Sequence, residues 1–73
     1  MQNKRYLLVI EPFPYLETIY IYDSLTHNTI NLTYTTNIKE LNLQLLLHNL
    51  KITEPFKWPT KNQYLEINLT EIN

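Results

Sequence analysis

The only serine, Ser24, sits three residues before His27, one of two histidines, in the polar segment Asp23-Ser24-Leu25-Thr26-His27-Asn28, and there is no cysteine. A serine nucleophile needs a base within reach, a group that orients the base, and donors for the developing oxyanion. The segment supplies the first pair and neither of the others, so it reads as a polar hairpin turn. Metal binding would require Asp23, His27, His48 and a glutamate to converge, and no two of them have a ligand-pair spacing. His48 falls near the end of a helical pattern, where an imidazole can interact with exposed carbonyls. Glu11 and Glu17 flank a proline turn, and Glu66 and Glu71 lie close to the end of the chain. Two carboxylates become an acid and a base only in a cleft that separates their pKa values, and nothing in the sequence marks such a cleft. The expectation is a protein that is not an enzyme and uses no cofactor or metal.

The residues best suited to binding lie between Lys51 and Lys61. Lys51, Lys57 and Lys61 accompany Phe56 and Trp58, and Pro55 and Pro59 limit the backbone between them. Aromatic rings on a restrained loop can stack on unpaired bases while lysines meet phosphates. The same rings can anchor a protein–protein contact, where tryptophan is enriched. They can also fold back as a lid over a small core, leaving the lysines in water. Lys4 and Arg5 form a smaller basic site at the other end of the chain.

These side chains must be held by one small domain spanning residues 1–73. A domain of this size buries only about 60% of the surface its unfolded chain exposes. The hydrophobic content of 44% is nevertheless that of a globular chain. The net charge of −1 offers no overall basic excess for nucleic acid, so any such contact must be local. Met1 to Pro14 contains a basic pair and an apolar run broken at Pro12, too short for a signal-peptide core or a membrane span. A soluble, cytoplasmic protein is expected. Glycine and alanine are both absent. Gly-rich phosphate loops are therefore excluded, and positive-φ turns are expected to fall on Asn or Asp.

Arg5 to Ile10 has β propensity and ends at Glu11-Pro12-Phe13-Pro14, where two prolines forbid further ladder pairing. Leu16 to Tyr22 alternates an aliphatic face, Ile19 and Ile21, with an aromatic one, Tyr20 and Tyr22. Ile30, Leu32 and Tyr34 alternate with Asn31, Thr33 and Thr35 in a third strand, and Asp23 and Asn28 are the residues expected to bend the connection before it. The period then changes. Asn37 can cap a helix, with Glu40 three residues on reaching back to the cap. Leu41, Leu43, Leu45 and Leu47 also alternate as in a strand, but no β-branched residue occurs from Lys39 to Lys51, which favours helix. On a helical wheel Ile38, Leu41, Leu45, Leu46 and Leu50 share a face and Leu47 falls outside it. Lys51 to Asn62 reads as a loop. Tyr64 to Leu69 reads as the last strand, with Leu65, Ile67 and Leu69 inward and Thr70 to Asn73 frayed. The fold class is α+β: a small antiparallel or mixed sheet of three to four strands packed on one helix.

Asn28 to Leu50, with its Thr35-Thr36-Asn37-Ile38-Lys39-Glu40-Leu41 step from strand to helix, resembles the second strand and helix of the ubiquitin-like β-grasp, and Leu65 to Leu69 the strand that follows. The chain lacks the C-terminal di-glycine of conjugated modifiers. With Arg5–Ile10 as an extra strand, the pattern also resembles a ferredoxin-like fragment. Pro55-Phe56-Lys57 ahead of Tyr64-Leu65-Glu66-Ile67 is similar to the proline–phenylalanine–basic loop of the microsporidian ribosome dormancy factor group. That resemblance implies a protein without catalytic residues that binds idle ribosomes. The alternative is a protein–protein module, a small inhibitor or accessory subunit, pairing through a strand edge or the Tyr20/Tyr22 face.

Overall fold

A computed structural model describes residues 5–12, 16–60 and 63–72. Lys4, Lys61 and the Phe13–Tyr15 part of the proline turn lie outside these residues. The elements run β1 (Tyr6–Glu11), β2 (Thr18–Asp23), β3 (Asn28–Leu32), α1 (Ile38–Leu46), β4 (Leu50–Ile52) and β5 (Leu65–Glu71). The strands form one sheet in the order β3-β2-β1-β5-β4, with every pairing antiparallel.

The sheet has five strands where three to four were expected, and it is not mixed. The additional strand is β4: Lys51 and Ile52 fall in the stretch expected as a loop, and Leu50, expected on the helix face, begins the strand instead because α1 ends at Leu46. Its three residues follow the helix too closely to show an alternation of their own, and they become a strand by pairing with β5, Leu50 opposite Glu71 and Ile52 opposite Leu69. β5 in turn runs on to Glu71 instead of fraying from Thr70, and begins at Leu65, one residue after Tyr64. β1 lies at the centre, between β2 and β5. Its Leu8 and Ile10 face the side on which α1 packs, and its Leu7 and Val9 face the other, where Val9 is shielded by the side chains of the flanking strands.

The register divides the sheet cleanly. Leu8 and Ile10 of β1 face the same side as Ile19 and Ile21 of β2 and Leu65, Ile67 and Leu69 of β5. Helix α1 covers this side. The core joins Leu8, Ile10, Ile19, Ile21, Ile67 and Leu69 to Leu41, Leu45 and Leu50. Each such side chain, removed from water, is worth roughly 1.5–3 kcal/mol.

The ambiguous leucines are helical. Leu41 and Leu45 are 0% exposed, whereas Leu47 is 84% exposed. Ile38 and Leu46, expected on the inner face, are both exposed, because the nine-residue helix meets the sheet along a narrow stripe. Asn37 caps it, its side-chain oxygen accepting the N–H groups of Lys39 and Glu40. Glu40 does not bond the cap directly. Its carboxylate accepts the Thr35 hydroxyl at 2.8 Å, and that hydroxyl oxygen accepts the Asn37 N–H at 3.0 Å. Gln44 fixes the approach to the helix, accepting from the Thr33 N–H at 2.7 Å and donating to its carbonyl at 2.9 Å.

Without glycine, positive φ falls on Glu17 (52°), His27 (61°) and Asn49 (58°). Asn49 fits the expectation for a chain lacking glycine, but His27, not Asp23 or Asn28, takes the left-handed position of the hairpin. Its imidazole Nδ1 lies 2.7 Å from the Tyr22 hydroxyl, a bond that compensates part of the backbone cost.

Candidate functional site

The chain leaves β4 along the edge of β5 and is pinned there. The Thr53 and Thr70 hydroxyls lie 3.0 Å apart, and the Glu54 carboxylate accepts the Asn68 N–H at 2.8 Å, standing in for a backbone partner. Phe56 and Trp58 then turn inward. Their rings meet at 6.1 Å, tilted by 44°, and both are half-buried against the core. The lid is therefore real, but it is not flush. Trp58 lines an open groove of about 580 Å³ together with Lys57, Pro59, Thr60, Gln63, Tyr64 and Leu65. The Thr60 hydroxyl donates to Gln63 Oε1 at 2.8 Å and the Gln63 N–H to the Thr60 carbonyl at 3.1 Å, which closes the rim. The Trp58 indole Nε1–H is buried with no hydrogen-bond partner among the described residues.

Of the residues expected to bind, the groove gathers Lys57, exposed, and Trp58, half-buried, with the Phe56 ring tilted against it. Lys51 is not there. It is exposed in β4 opposite Thr70, about 17 Å along β5 from Leu65 at the usual strand rise. Continuing the register of β1 places Arg5 on the other side of that same Thr70, so Arg5 and Lys51 share one end of the sheet instead of marking opposite ends of the molecule. Arg5 is also committed. Its guanidinium grips Asp23 through two bonds of 2.9 and 2.8 Å and lies 4.9 Å from the Tyr6 ring centre. This pair holds Asp23 well below the usual carboxylate range, with the Leu25 N–H helping, and raises the guanidinium pKa. Arg5 is a clamp on the first hairpin.

Tyr64 and Gln63 were not singled out from sequence. The available signal was an aromatic residue directly ahead of a strand, across a short loop from Trp58.

Ser24 and His27 have separate partners. The Ser24 hydroxyl donates to the Arg5 carbonyl at 2.7 Å, and His27 meets Tyr22. Among the described residues no three His, Asp or Glu side chains converge as metal ligands. His48 contributes its backbone N–H, donated to the Leu45 carbonyl at 2.9 Å. No helix among them is long and apolar enough to cross a membrane.

Among the described residues no helix covers the other side of the sheet. Across it run the rows Asn31–Tyr20–Val9–Glu66 and Thr29–Tyr22–Leu7–Asn68. Burial raises the Tyr20 phenol pKa, and the neighbouring charges of Glu11 and Glu66 push it the same way.

Comparison of the chain with protein-family models, with curated proteins and with solved structures finds no match.

Proposed function

We propose that this chain is a non-enzymatic, cytoplasmic binding protein that docks on a large RNA–protein assembly, a ribosome in a dormant or hibernating state, and receives an unpaired base in the groove beside Trp58. The observation that carries the proposal is the gathering of Trp58, Tyr64, Lys57, Thr60 and Gln63 around one open cavity. Each has a part in single-strand recognition. The two rings offer stacking surfaces, each stacked base being worth about 1–3 kcal/mol. Lys57 meets the adjacent phosphate, and the Gln63 amide, whose Oε1 is held by the Thr60 hydroxyl, offers its NH2 donors to a base edge. A cavity of about 580 Å³ lies within the range that holds small ligands. Phe56 and the pinned Thr53–Glu54 segment keep the loop in place before binding, which lowers the ordering cost. In the β-grasp-like interpretation β2, β3, α1 and β5 form the grasp unit, and β1 is an additional central strand.

Co-sedimentation with ribosomes at rising salt tests the proposal. Binding is expected at low salt and should fall as salt increases, since each lysine–phosphate contact releases counterions. Failure to co-sediment at low salt refutes it.

A further inference from the structure

The uncovered side of the sheet has a chemistry opposite to that of the groove. Val9, on this side, is only 4% exposed although no helix lies over it. Its neighbours in register are Tyr20 on one flank and Glu66 on the other, and Tyr22 stands opposite Leu7 one row away. Tyr20 and Tyr22 are half-buried, as rings lying across a sheet are, with one side toward the sheet and the other toward water. Glu11 stands opposite Thr18, and continuing the register of β5 sets the exposed Tyr64 on its other flank. The carboxylates of Glu11 and Glu66 thus project from adjacent rows of neighbouring strands. One Glu11 oxygen accepts the Thr18 hydroxyl at 3.2 Å. Neither glutamate forms an ion pair among the described residues, where Arg5–Asp23 is the ion pair observed. The rows Asn31–Tyr20–Val9–Glu66 and Thr29–Tyr22–Leu7–Asn68 contain no lysine or arginine; among the described residues Arg5, already bound to Asp23, and Lys51 lie in the row beyond them, beside Thr70. Burial is the main cause of the raised Tyr20 phenol pKa, and the charges of Glu11 and Glu66 add to it.

The geometry points to this face as a docking surface for a basic polypeptide segment, whose arginines or lysines lie over Tyr20 and Tyr22 and reach the carboxylates of Glu11 and Glu66. Charge selects the occupant. A nucleic-acid strand would bring its phosphates against the carboxylates of Glu11 and Glu66, which have no ion-pair partner among the described residues. A cation over a tyrosine face gains from the ring quadrupole as well as from the carboxylates beside it. The surface adjoins the groove at Tyr64, which lines the groove and flanks Glu11, but its carboxylates call for a cationic occupant where Lys57 of the groove calls for an anionic one.

The test uses a fluorescent octapeptide of alternating arginine and serine, with alternating glutamate and serine as control, titrated by anisotropy at low salt. The arginine peptide should bind and the glutamate peptide should not. The double variant Glu11→Gln/Glu66→Gln, which keeps the shape of both side chains, should weaken binding roughly five- to tenfold, from two lost surface ion pairs. Tyr20→Ser, checked for its fold by circular dichroism, should weaken it further, and Lys39→Gln, exposed on α1 on the other side of the sheet, should leave it unchanged. Equal affinity for the glutamine variant, no binding at low salt, or displacement of the peptide by single-stranded RNA would overturn the inference. So would self-association of the wild type that the glutamine variant abolishes, because the occupant would then be a second copy. RNA titration of the same variants reports on the groove separately.

Discussion

Leu45→Ala and Leu47→Ala form a pair of perturbations that the two possible periods of this segment treat in opposite ways. In a strand, residues 45 and 47 would share a face and lose similar stability. In the helix Leu45 is 0% exposed and Leu47 is 84% exposed. Removing the γ-methine and the two δ-methyl groups of Leu45 forfeits about 0.8 kcal/mol for each group. The void left under α1 adds about 24 cal/mol for every Å³ that neighbours fail to fill. The total falls within about 3–5 kcal/mol. A chain of 73 residues has a stability of only about 4–11 kcal/mol at ordinary values per residue. Leu45→Ala should therefore forfeit about a quarter of it or more, whereas Leu47→Ala should stay within about 0.5 kcal/mol of wild type. Urea unfolding followed by far-ultraviolet circular dichroism separates the two, with a fall in midpoint for residue 45 alone. Equal losses at both positions would refute the helical packing of α1 on the sheet.

Asn37→Ala removes the acceptor for two N–H groups of the first turn and should cost about 1 kcal/mol in the same urea assay. Trp58→Phe relieves the buried indole N–H, an unpaired group of a kind that costs about 1–3 kcal/mol, while giving up some ring area. Its urea midpoint should stay close to wild type, whereas Trp58→Ala, which opens the lid over the core, should lower it clearly. The Asp23 carboxyl is depressed below its ordinary value of 3.8. Its contribution is present in full above that value and is lost as pH falls below it, because the unfolded chain then takes up the proton first. Arg5→Ala should reduce this acid dependence of the thermal midpoint while lowering the midpoint at neutral pH.

Much of the fold was legible because the residues involved carry local signals. The alternation of Ile19 and Ile21 with Tyr20 and Tyr22 marks β2 and assigns its faces, and the Asn37 cap followed by a run without β-branched residues marks the start of α1. What was not legible depends on contacts distant in sequence. β4 exists only through its pairing with β5. The central place of β1 follows from β5 returning to its free edge after more than fifty residues. The same holds for function. Lys57 and Trp58 stand out as a basic–aromatic step, but Tyr64 joins them only when the loop closes. Arg5 reads as a free cation until the hairpin delivers Asp23 to it. Glu11 and Glu66 come side by side only in the folded sheet.

Trp58 is the single tryptophan of the chain, so its intrinsic fluorescence reports directly on the groove. Titration with a short single-stranded RNA at low salt should quench and saturate that signal, with an apparent affinity that falls as salt is raised and weakens in Lys57→Gln. An emission spectrum unchanged by RNA at low salt would contradict base docking beside Trp58.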